Sequence, residues 1–526
     1  MAAERGGDGP GTTGTAGSAP VEAVPGEIRY RSAAGRWVLV ATVFGSGLVM
    51  LDASVVNVAL PTIGRDFQAG LASLQWTVNA YTLTLAGLLL LGGSLGDHYG
   101  RRRVFVIGII WFALASLVCG VAPSAPALVA ARALQGIGAA LLTPGSLAII
   151  EATFRPSDRA SAIGAWSGLG GVATALAPLL GGFLTMAVSW RLIFLINLPF
   201  TAVALWAAIR HVPESRDPGA APELDLTGAA LAALGLAGLT YALTGGPSDG
   251  WATPAVLVAW VGGVLALAAF VVVERKERHP MLPLDIFRST QFSGANVVTF
   301  LIYGALGGSM FLLPIQLQRV VGMSPLRAGT ALTPITLVML LLSARAGRLA
   351  QRIGPRLPMT LGPLVAAAGL ALMVRVVPGS SYWGSTLPAV LVFAVGLSLT
   401  VAPLTATVLA AAGAEHAGVA SAVNNAVARA AGLLAVATLP VAAGIAGASA
   451  LSTDVFASGF RVAMWIAAAL VAAGGLVAFA AIRQLAPAEA ARQPEPSTHC
   501  PLDAPPLRRL PAPRPAIEAG HATREG

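Results

Sequence analysis

The stretch GSLGDHYGRR, residues 93–102, recurs in altered form as GRLAQRIGPR at residues 347–356. Both copies follow an apolar run, and both keep Gly, Leu, Gly and Arg at matching places. Further upstream, Leu60-Pro61 recurs as Leu313-Pro314 at nearly the same offset. A repeat of this kind indicates two similar helical bundles, an organisation that is typical of secondary transporters.

The chain is far more apolar than a soluble domain. Of its 526 residues, 56% are hydrophobic and 11% are charged, whereas soluble domains carry about 25% charged residues. Apolar runs that are long enough to cross a hydrocarbon core of about 30 Å as a helix recur along most of the chain. The pattern predicts an all-α integral membrane protein with fourteen spans, at 36–59, 73–95, 104–122, 126–148, 160–184, 191–210, 226–245, 252–274, 292–317, 328–346, 357–377, 385–411, 418–446 and 461–482.

The charges of the loops predict an orientation. Basic residues concentrate in every second connection, as in the arginines at 101–103, and positively charged loops stay in the cytoplasm. This bias accounts for the formal net charge of +9 without a nucleic-acid-binding patch. Nearly all the basic residues are arginine, and glycine and proline are abundant, as in proteins from GC-rich bacterial genomes. We therefore expect a bacterial cytoplasmic-membrane protein with both termini inside.

The repeat and the loops together predict the domain organisation. The spans near 226–245 and 252–274 have no counterpart in the repeat, and the N-terminus lacks the order of a signal peptide. Both chain ends have the composition of disordered segments. The predicted parts are a disordered cytoplasmic N-terminus at 1–35, a six-helix bundle at 36–210, a two-helix insert with linkers at 211–290, a second six-helix bundle at 291–482 and a disordered cytoplasmic tail at 483–526.

The first copy of the repeated loop carries charges at the membrane edge. Gly93 and Gly96 remove side chains, which predicts close helix approach, and Gly100 suits a tight turn. Asp97 can pair with Arg101 and lie favourably near a helix N-terminus. We expect these groups to hold one conformation closed, as a conformational latch formed by Gly93, Gly96, Asp97, Gly100, Arg101 and Arg102.

A carboxylate interrupts the first span, in GLVMLDASVVNVALP at residues 47–61. Translocon scales put the cost of Asp52 at a helix centre at about 2.5 to 3.5 kcal/mol. Counting about 1.5 Å per residue places Asp52 and Arg132 of the fourth span at nearly the same depth, with Gln135 one turn away. In such a pair, desolvation opposes the charge of Asp52 and the arginine favours it. We predict proton coupling at Asp52 and Arg132; a permanently ionised pair that only fastens two helices is the alternative.

The motifs resemble those of one transporter family. GGSLGDHYGRRRV at 92–104 is similar to the loop 2–3 signature of the major facilitator superfamily, and LDASVVNVALP at 51–61 resembles the first-span signature of its fourteen-span drug:proton antiporters. The resemblance implies two six-helix bundles plus a two-helix insert, and proton-coupled export of drugs or antibiotics by alternating access. Similar strings continue in order over residues 36–482: LQWTVNAYTL (74–83), RALQGIGAAL (132–141), SWRLIFLINLPF (189–200), HPMLPLDIFR (279–288) and GMSPLRAGTALTP (322–334).

Two features depart from the family pattern. GVATALAPLLGG at 171–182 keeps Pro178, Gly181 and Gly182 of the antiporter string but has alanine at two places where glycine is usual. We expect these three residues to form a hinge that packs against the other bundle, with a merely kinked structural helix as the alternative. The second copy of the loop has Gln351 in place of the acid, so a symmetric latch is not expected.

Few other polar groups lie within the spans. We predict that Gln135, Tyr81, Asn425 and Arg429 contribute to a substrate cavity; bonding of Arg429 to backbone carbonyls is the alternative. No second clear carboxylate lies at mid-membrane in the predicted spans, which favours neutral, zwitterionic or monovalent cationic substrates over divalent cations.

The remaining expectations concern energy and partners. The sequence contains no GxxxxGK[ST] motif and no Cys/His metal cluster. We therefore expect no cofactor and no metal, and a proton gradient as the energy source. The expected partners are a small-molecule substrate, protons and the lipid bilayer, but not nucleic acid, and we expect a monomer. Two alternatives on the same scaffold are a proton-coupled permease for an amino acid or other metabolite and a non-transporting sensor; an enzyme is not expected, because no catalytic constellation is present.

Overall fold

The computed structural model describes residues 28–217, 224–277, 280–412, 417–445 and 452–483. Within these ranges, fourteen helices are long and apolar enough to cross a membrane, which confirms the predicted number. The helices are α1 (Ala33–Asp66), α2 (Leu71–Tyr99), α3 (Arg101–Gly120), α4 (Ala125–Thr153), α5 (Pro156–Ala187), α6 (Leu192–His211), α7 (Leu226–Asp249), α8 (Pro254–Lys276), α9 (Thr290–Val320), α10 (Pro325–Ile353), α11 (Arg356–Met373), α12 (Tyr382–Ala412), α13 (Gly418–Ala442) and α14 (Thr453–Ala481).

Several helices extend beyond the predicted spans. Helix α1 continues to Asp66 and α14 begins at Thr453, because a hydropathy pattern detects only the apolar part of a helix. Residues 28–32, which the sequence places in the disordered lead, bond to the turn between α4 and α5: the Ile28 N–H donates to the Thr153 carbonyl at 3.3 Å. The rest of the predicted N-terminal segment, and the tail beyond residue 483, lie outside the described residues.

The two halves of the chain repeat one pattern of helix packing. In the first half, α1 packs on α5 and α6, α2 on α4, and α3 on α4 and α6. In the second half, α9 packs on α13 and α14, α10 on α12, and α11 on α12 and α14. These are the same pairings in the same order, so the sequence repeat corresponds to a repeat of the packing.

The halves meet along two seams, and one of them is covered by the insert. Helix α5 packs against α10, and α2 packs against α13. Helix α7 lies against both α2 and α13 as well as against α8. In the most apolar stretch of α8 only 11% of the residues are buried, as expected for a helix that faces lipid.

The helical assembly has two ends. The terminal face is the end at which α1 begins and α14 ends, which share a face because an even number of spans separates them. The far face is the other end, where α1 ends and α2 begins.

Candidate functional site

Asp52 and Arg132 form an ion pair between α1 and α4, as their predicted depths imply. The side chain of Asp52 is 0% exposed and that of Arg132 is 1% exposed. A buried pair of this kind is tolerated only where hydrogen bonds satisfy the remaining polar atoms.

Neutral polar side chains complete the coordination of Asp52. Its Oδ1 accepts hydrogen bonds from Gln135 Nε2 at 2.9 Å and from Asn197 Nδ2 at 3.1 Å. The same two amides also donate to Ser116 Oγ, at 2.8 Å and 3.3 Å. Asn197 belongs to α6 and Ser116 to α3, so helices α1, α3, α4 and α6 all contribute to the site. Sequence reasoning missed both residues, although Asn197 is the one amide in the apolar string LIFLINLPF.

The guanidinium of Arg132 is enclosed on its remaining sides. Its Nε donates to the Thr77 carbonyl at 3.1 Å, and NH1 donates to Gln135 Oε1 at 2.6 Å. The ring of Tyr81 lies 4.1 Å from the Arg132 Cζ, and the Tyr81 hydroxyl donates to the Val49 carbonyl at 3.3 Å. The guanidinium therefore contacts groups of α2 and α4 in addition to Asp52.

A cavity of about 430 Å³ lies between the two bundles. Asn425 and Arg429, predicted as cavity residues, line it, whereas Gln135 and Tyr81 do not and instead belong to the buried network. The described lining residues are Met50, Ala53, Asn57, Val78, Thr82, Tyr303, Leu306, Gly307, Met310, Thr405, Val408, Leu409, Ser421, Asn424, Asn425, Ala428, Arg429, Gly432 and Val436.

Helix α1 separates the cavity from the ion pair. Met50, Ala53 and Asn57 lie at helical spacing on the face of α1 that lines the cavity, whereas Asp52 is directed into the first bundle toward Arg132. The ion pair and the cavity wall therefore share helix α1.

The antiporter string of α5 contributes to closure at the far face. A Cβ on Gly182 would lie 2.6 Å from the Pro325 carbonyl oxygen of α10, so the absence of a side chain permits this contact. The backbone of Pro178 packs on Gly329 of the same helix. Gly181 differs from the prediction, because it faces Val55 of α1 within its own bundle, with a Cβ to Val55 oxygen distance of 3.0 Å.

Hydrogen bonds from two glutamines join the bundles near the same face. Gln75 Nε2 of α2 donates to the Val436 carbonyl of α13 at 2.7 Å, and Gln318 Nε2 of α9 donates to the Val58 carbonyl of α1 at 2.8 Å. Toward the terminal face, in contrast, Cβ atoms built on three glycines of α5 and α13 would meet nothing within 4 Å: Gly164, Gly168 and Gly418. The bundles are therefore joined by direct contacts near the far face, whereas open space lies beside these three glycines toward the terminal face.

The predicted latch loop lies at the terminal face. Arg101 Nε donates to Asp97 Oδ1 at 2.8 Å, and Gly100 has a φ of +115°, which L side chains rarely adopt. The prediction of close approach at Gly93 and Gly96 is wrong. A Cβ on either would make only ordinary contacts, at 3.6 Å or more, whereas the neighbouring Gly92 packs directly on the backbone of α4.

Glu214 adds a carboxylate to this loop that the motif did not indicate. Its Oε1 accepts the Arg102 backbone N–H at 3.0 Å, at the N-terminus of α3, where the helix dipole favours negative charge. Its Oε2 lies 3.8 Å from Arg102 Nε and 3.7 Å from Arg103 Nε. The prediction of an acid near a helix N-terminus thus applies to Glu214, while Asp97 lies in the last turn of α2.

Comparison with known proteins gives the family. The model of the Major Facilitator Superfamily matches residues 42–436. A methylenomycin A resistance protein of Bacillus subtilis is 36% identical over 398 residues, covering 75% of this chain and 84% of the relative. A puromycin resistance protein of Streptomyces alboniger is 39% identical over 407 residues, covering 77% and 80%. The chain belongs to the Major Facilitator Superfamily, a family of multi-pass membrane transporters.

A solved structure shares the fold. The crystal structure of the peptide transporter POT in complex with sulfate superposes with a TM-score of 0.63, covering 86% of this chain and 97% of that chain. The sequence identity is 17%, so this likeness shows the fold alone.

Proposed function

We propose that the protein exports drugs, antibiotics or related small organic molecules from a bacterial cytoplasm in exchange for protons. One observation carries the proposal: a fully buried carboxylate, Asp52, is paired with Arg132 directly behind the wall of a cavity between two bundles. The resistance functions named for the two relatives support export rather than uptake.

The mechanism follows from competition between a proton and Arg132 for the carboxylate of Asp52. When Asp52 takes up a proton, it loses its charge and its attraction to Arg132. The hydrogen bonds to Gln135 and Asn197 then rearrange, and α1 shifts relative to α4. Since α1 also lines the cavity, protonation and substrate occupancy become linked, which is the requirement for antiport.

The orientation and organisation belong to the same proposal. The terminal face carries the arginine-rich loops, so we place it in the cytoplasm, with both termini inside and the inner membrane as the location. We divide the membrane region into bundles α1–α6 and α9–α14, with α7 and α8 as the insert. In this orientation the described conformation receives substrate from the cytoplasm. We propose a proton gradient as the energy source and no bound cofactor.

The test is accumulation of antibiotics in a susceptible bacterial host. Cells express the native protein, Asp52→Asn or the control Asp285→Asn, whose carboxylate is 84% exposed and remote from the cavity. The panel includes acidic, neutral and cationic compounds, each measured with and without a protonophore. We expect the native protein and Asp285→Asn to lower the accumulation of at least one compound, and Asp52→Asn and the protonophore to abolish this effect.

Each opposite result removes one part of the proposal. Export by Asp52→Asn at equal membrane abundance contradicts the role of Asp52. Export that persists with the protonophore contradicts proton coupling. No change in accumulation of any compound contradicts drug export.

A further inference from the structure

Arg429 places a positive charge in the lining of the cavity between the bundles. It lies about halfway along α13, and its side chain lines the cavity together with Asn425 and Tyr303. A charged residue at this depth is expensive and marks a functional pathway unless a partner compensates it.

No described residue supplies such a partner. The ion pairs among the described residues involve the arginines at 101, 102, 103, 132, 191 and 288, and Arg429 is absent from them. None of the described residues that line the cavity is acidic. Asp52 is already neutralised, because Oδ2 faces Arg132 and Oδ1 accepts from Gln135 and Asn197. The cavity therefore carries one uncompensated positive charge.

The rest of the lining fits an amphipathic molecule. The side chains of Met50, Val78, Leu306 and Met310 present apolar surface, while amides and hydroxyls such as Asn425 offer hydrogen bonds. A volume of about 430 Å³ lies within the usual range for small-molecule sites. An apolar organic molecule with one acidic group would pair that group with Arg429 and pack its apolar part against these side chains.

We propose that Arg429 anchors the substrate and that the preferred substrates are organic acids, whose carboxylate or other ionised oxygen group pairs with the guanidinium. A planar guanidinium binds a carboxylate through two parallel hydrogen bonds, which gives orientation as well as affinity. This inference rests on the proposed export function and replaces the expectation of neutral, zwitterionic or cationic substrates with a specific charge class.

The experiment compares antibiotics that carry a free carboxylate with the methyl esters of the same compounds, and adds a set of cationic antibiotics. A susceptible host expresses the native protein, Arg429→Gln, Arg429→Lys or the control Arg375→Gln. Arg375 is an exposed arginine beyond the end of α11 and does not line the cavity. The readout is the minimal inhibitory concentration at equal membrane abundance of each variant.

We expect the native protein to protect against the acids more than against their esters. In Arg429→Gln, protection against the acids falls about tenfold or more, the factor expected for a lost charge-assisted hydrogen bond, while protection against the esters is unchanged. Arg429→Lys retains part of the protection, because lysine keeps the charge but cannot donate the two parallel hydrogen bonds of a guanidinium. Arg375→Gln behaves like the native protein.

Two results overturn the inference and leave the proposed function in place. One is protection against neutral or cationic compounds alone. The other is an equal loss of protection against acids and esters in Arg429→Gln, which would assign Arg429 to the helix movements of the cycle. If the native protein protects against no compound, the proposed function fails and the inference fails with it.

Discussion

Arg132 of α4 and Arg429 of α13 both lie within membrane-spanning helices, and the two have opposite surroundings. Arg132 is 1% exposed, and its guanidinium is bonded to a carboxylate, an amide and a backbone carbonyl. Arg429 faces a cavity, with no ion pair to any described residue. The helix packing of the two halves is repeated, but the charge chemistry is not. One half holds a buried ion pair, and the other presents an unpaired charge to the cavity.

The two copies of the repeated loop likewise share their backbone geometry but not their charges. Gly100 and Gly354 both have positive φ, +115° and +84°, so the turn itself is conserved between the copies. In the first copy Asp97 pairs with Arg101. In the second copy Gln351 and Pro355 occupy the two matching positions, so this ion pair has no counterpart there. Backbone repeats can therefore be inherited while each half acquires its own electrostatics.

The largest predicted difference concerns the stability of the two arginine sites. Arg132→Gln leaves Asp52 buried without its counter-charge, and breaking such a pair costs about 3 to 5 kcal/mol. Arg429→Gln removes a charge that has no described partner, so we expect the free energy of unfolding to change by about 1 kcal/mol or less. Unfolding of the detergent-purified variants by denaturant measures both.

The double variant Asp52→Asn with Arg132→Gln serves as the control for this comparison. Because it leaves no unpaired charge, we expect it to recover part of the stability lost in Arg132→Gln. Equal destabilisation by Arg132→Gln and Arg429→Gln would contradict the contrast between the two sites.

Substitution of Asn197, which donates to Asp52 Oδ1 at 3.1 Å, is expected to lower the free energy of unfolding by less than Arg132→Gln does. Asn197→Ala leaves Gln135 as a donor to the same oxygen, so the expected loss is about 1 to 2 kcal/mol. The matched control is Asn425→Ala, an exposed amide of the cavity, for which a loss of about 0.5 kcal/mol or less is expected. In the Asp52→Asn background the cost of Asn197→Ala should shrink, and an unchanged cost would show that Asn197 acts independently of the carboxylate.

The sequence predicts the charged part of this site better than its neutral part. Asp52 and Arg132 are recognisable because a charge in an apolar span is expensive and both lie at one depth. Asn197 and Ser116 carry no such signal, since single neutral polar residues are common in spans. Thr77 takes part through its backbone carbonyl, which no side-chain pattern indicates. Their participation depends on the rotation of each helix about its axis, which spacing along one helix does not define.

Helix rotation also explains why the predictions of close packing at particular glycines are wrong. A glycine-rich stretch indicates close packing, but the choice between Gly92 and Gly93 depends on a rotation of about 100° per residue. Closure at the far face likewise depends on which glycine faces the other bundle, and Gly182 does so while Gly181 does not. The number and order of the helices, in contrast, follow from apolar length alone and are confirmed.

The smallest predicted difference separates the two loop copies. Glu214→Gln keeps an acceptor for the Arg102 N–H but removes the negative charge from the N-terminus of α3, so it should destabilise the protein by about 0.5 to 1 kcal/mol. Gln351→Glu introduces an acid at an exposed position of the second copy, where a change of about 0.5 kcal/mol or less is expected. Because the Glu214 contribution is electrostatic and its side chain is 25% exposed, it should diminish as salt is raised. A loss at Glu214 that is independent of salt would instead indicate that the glutamate acts through packing on Gly100, which lies against its carboxylate.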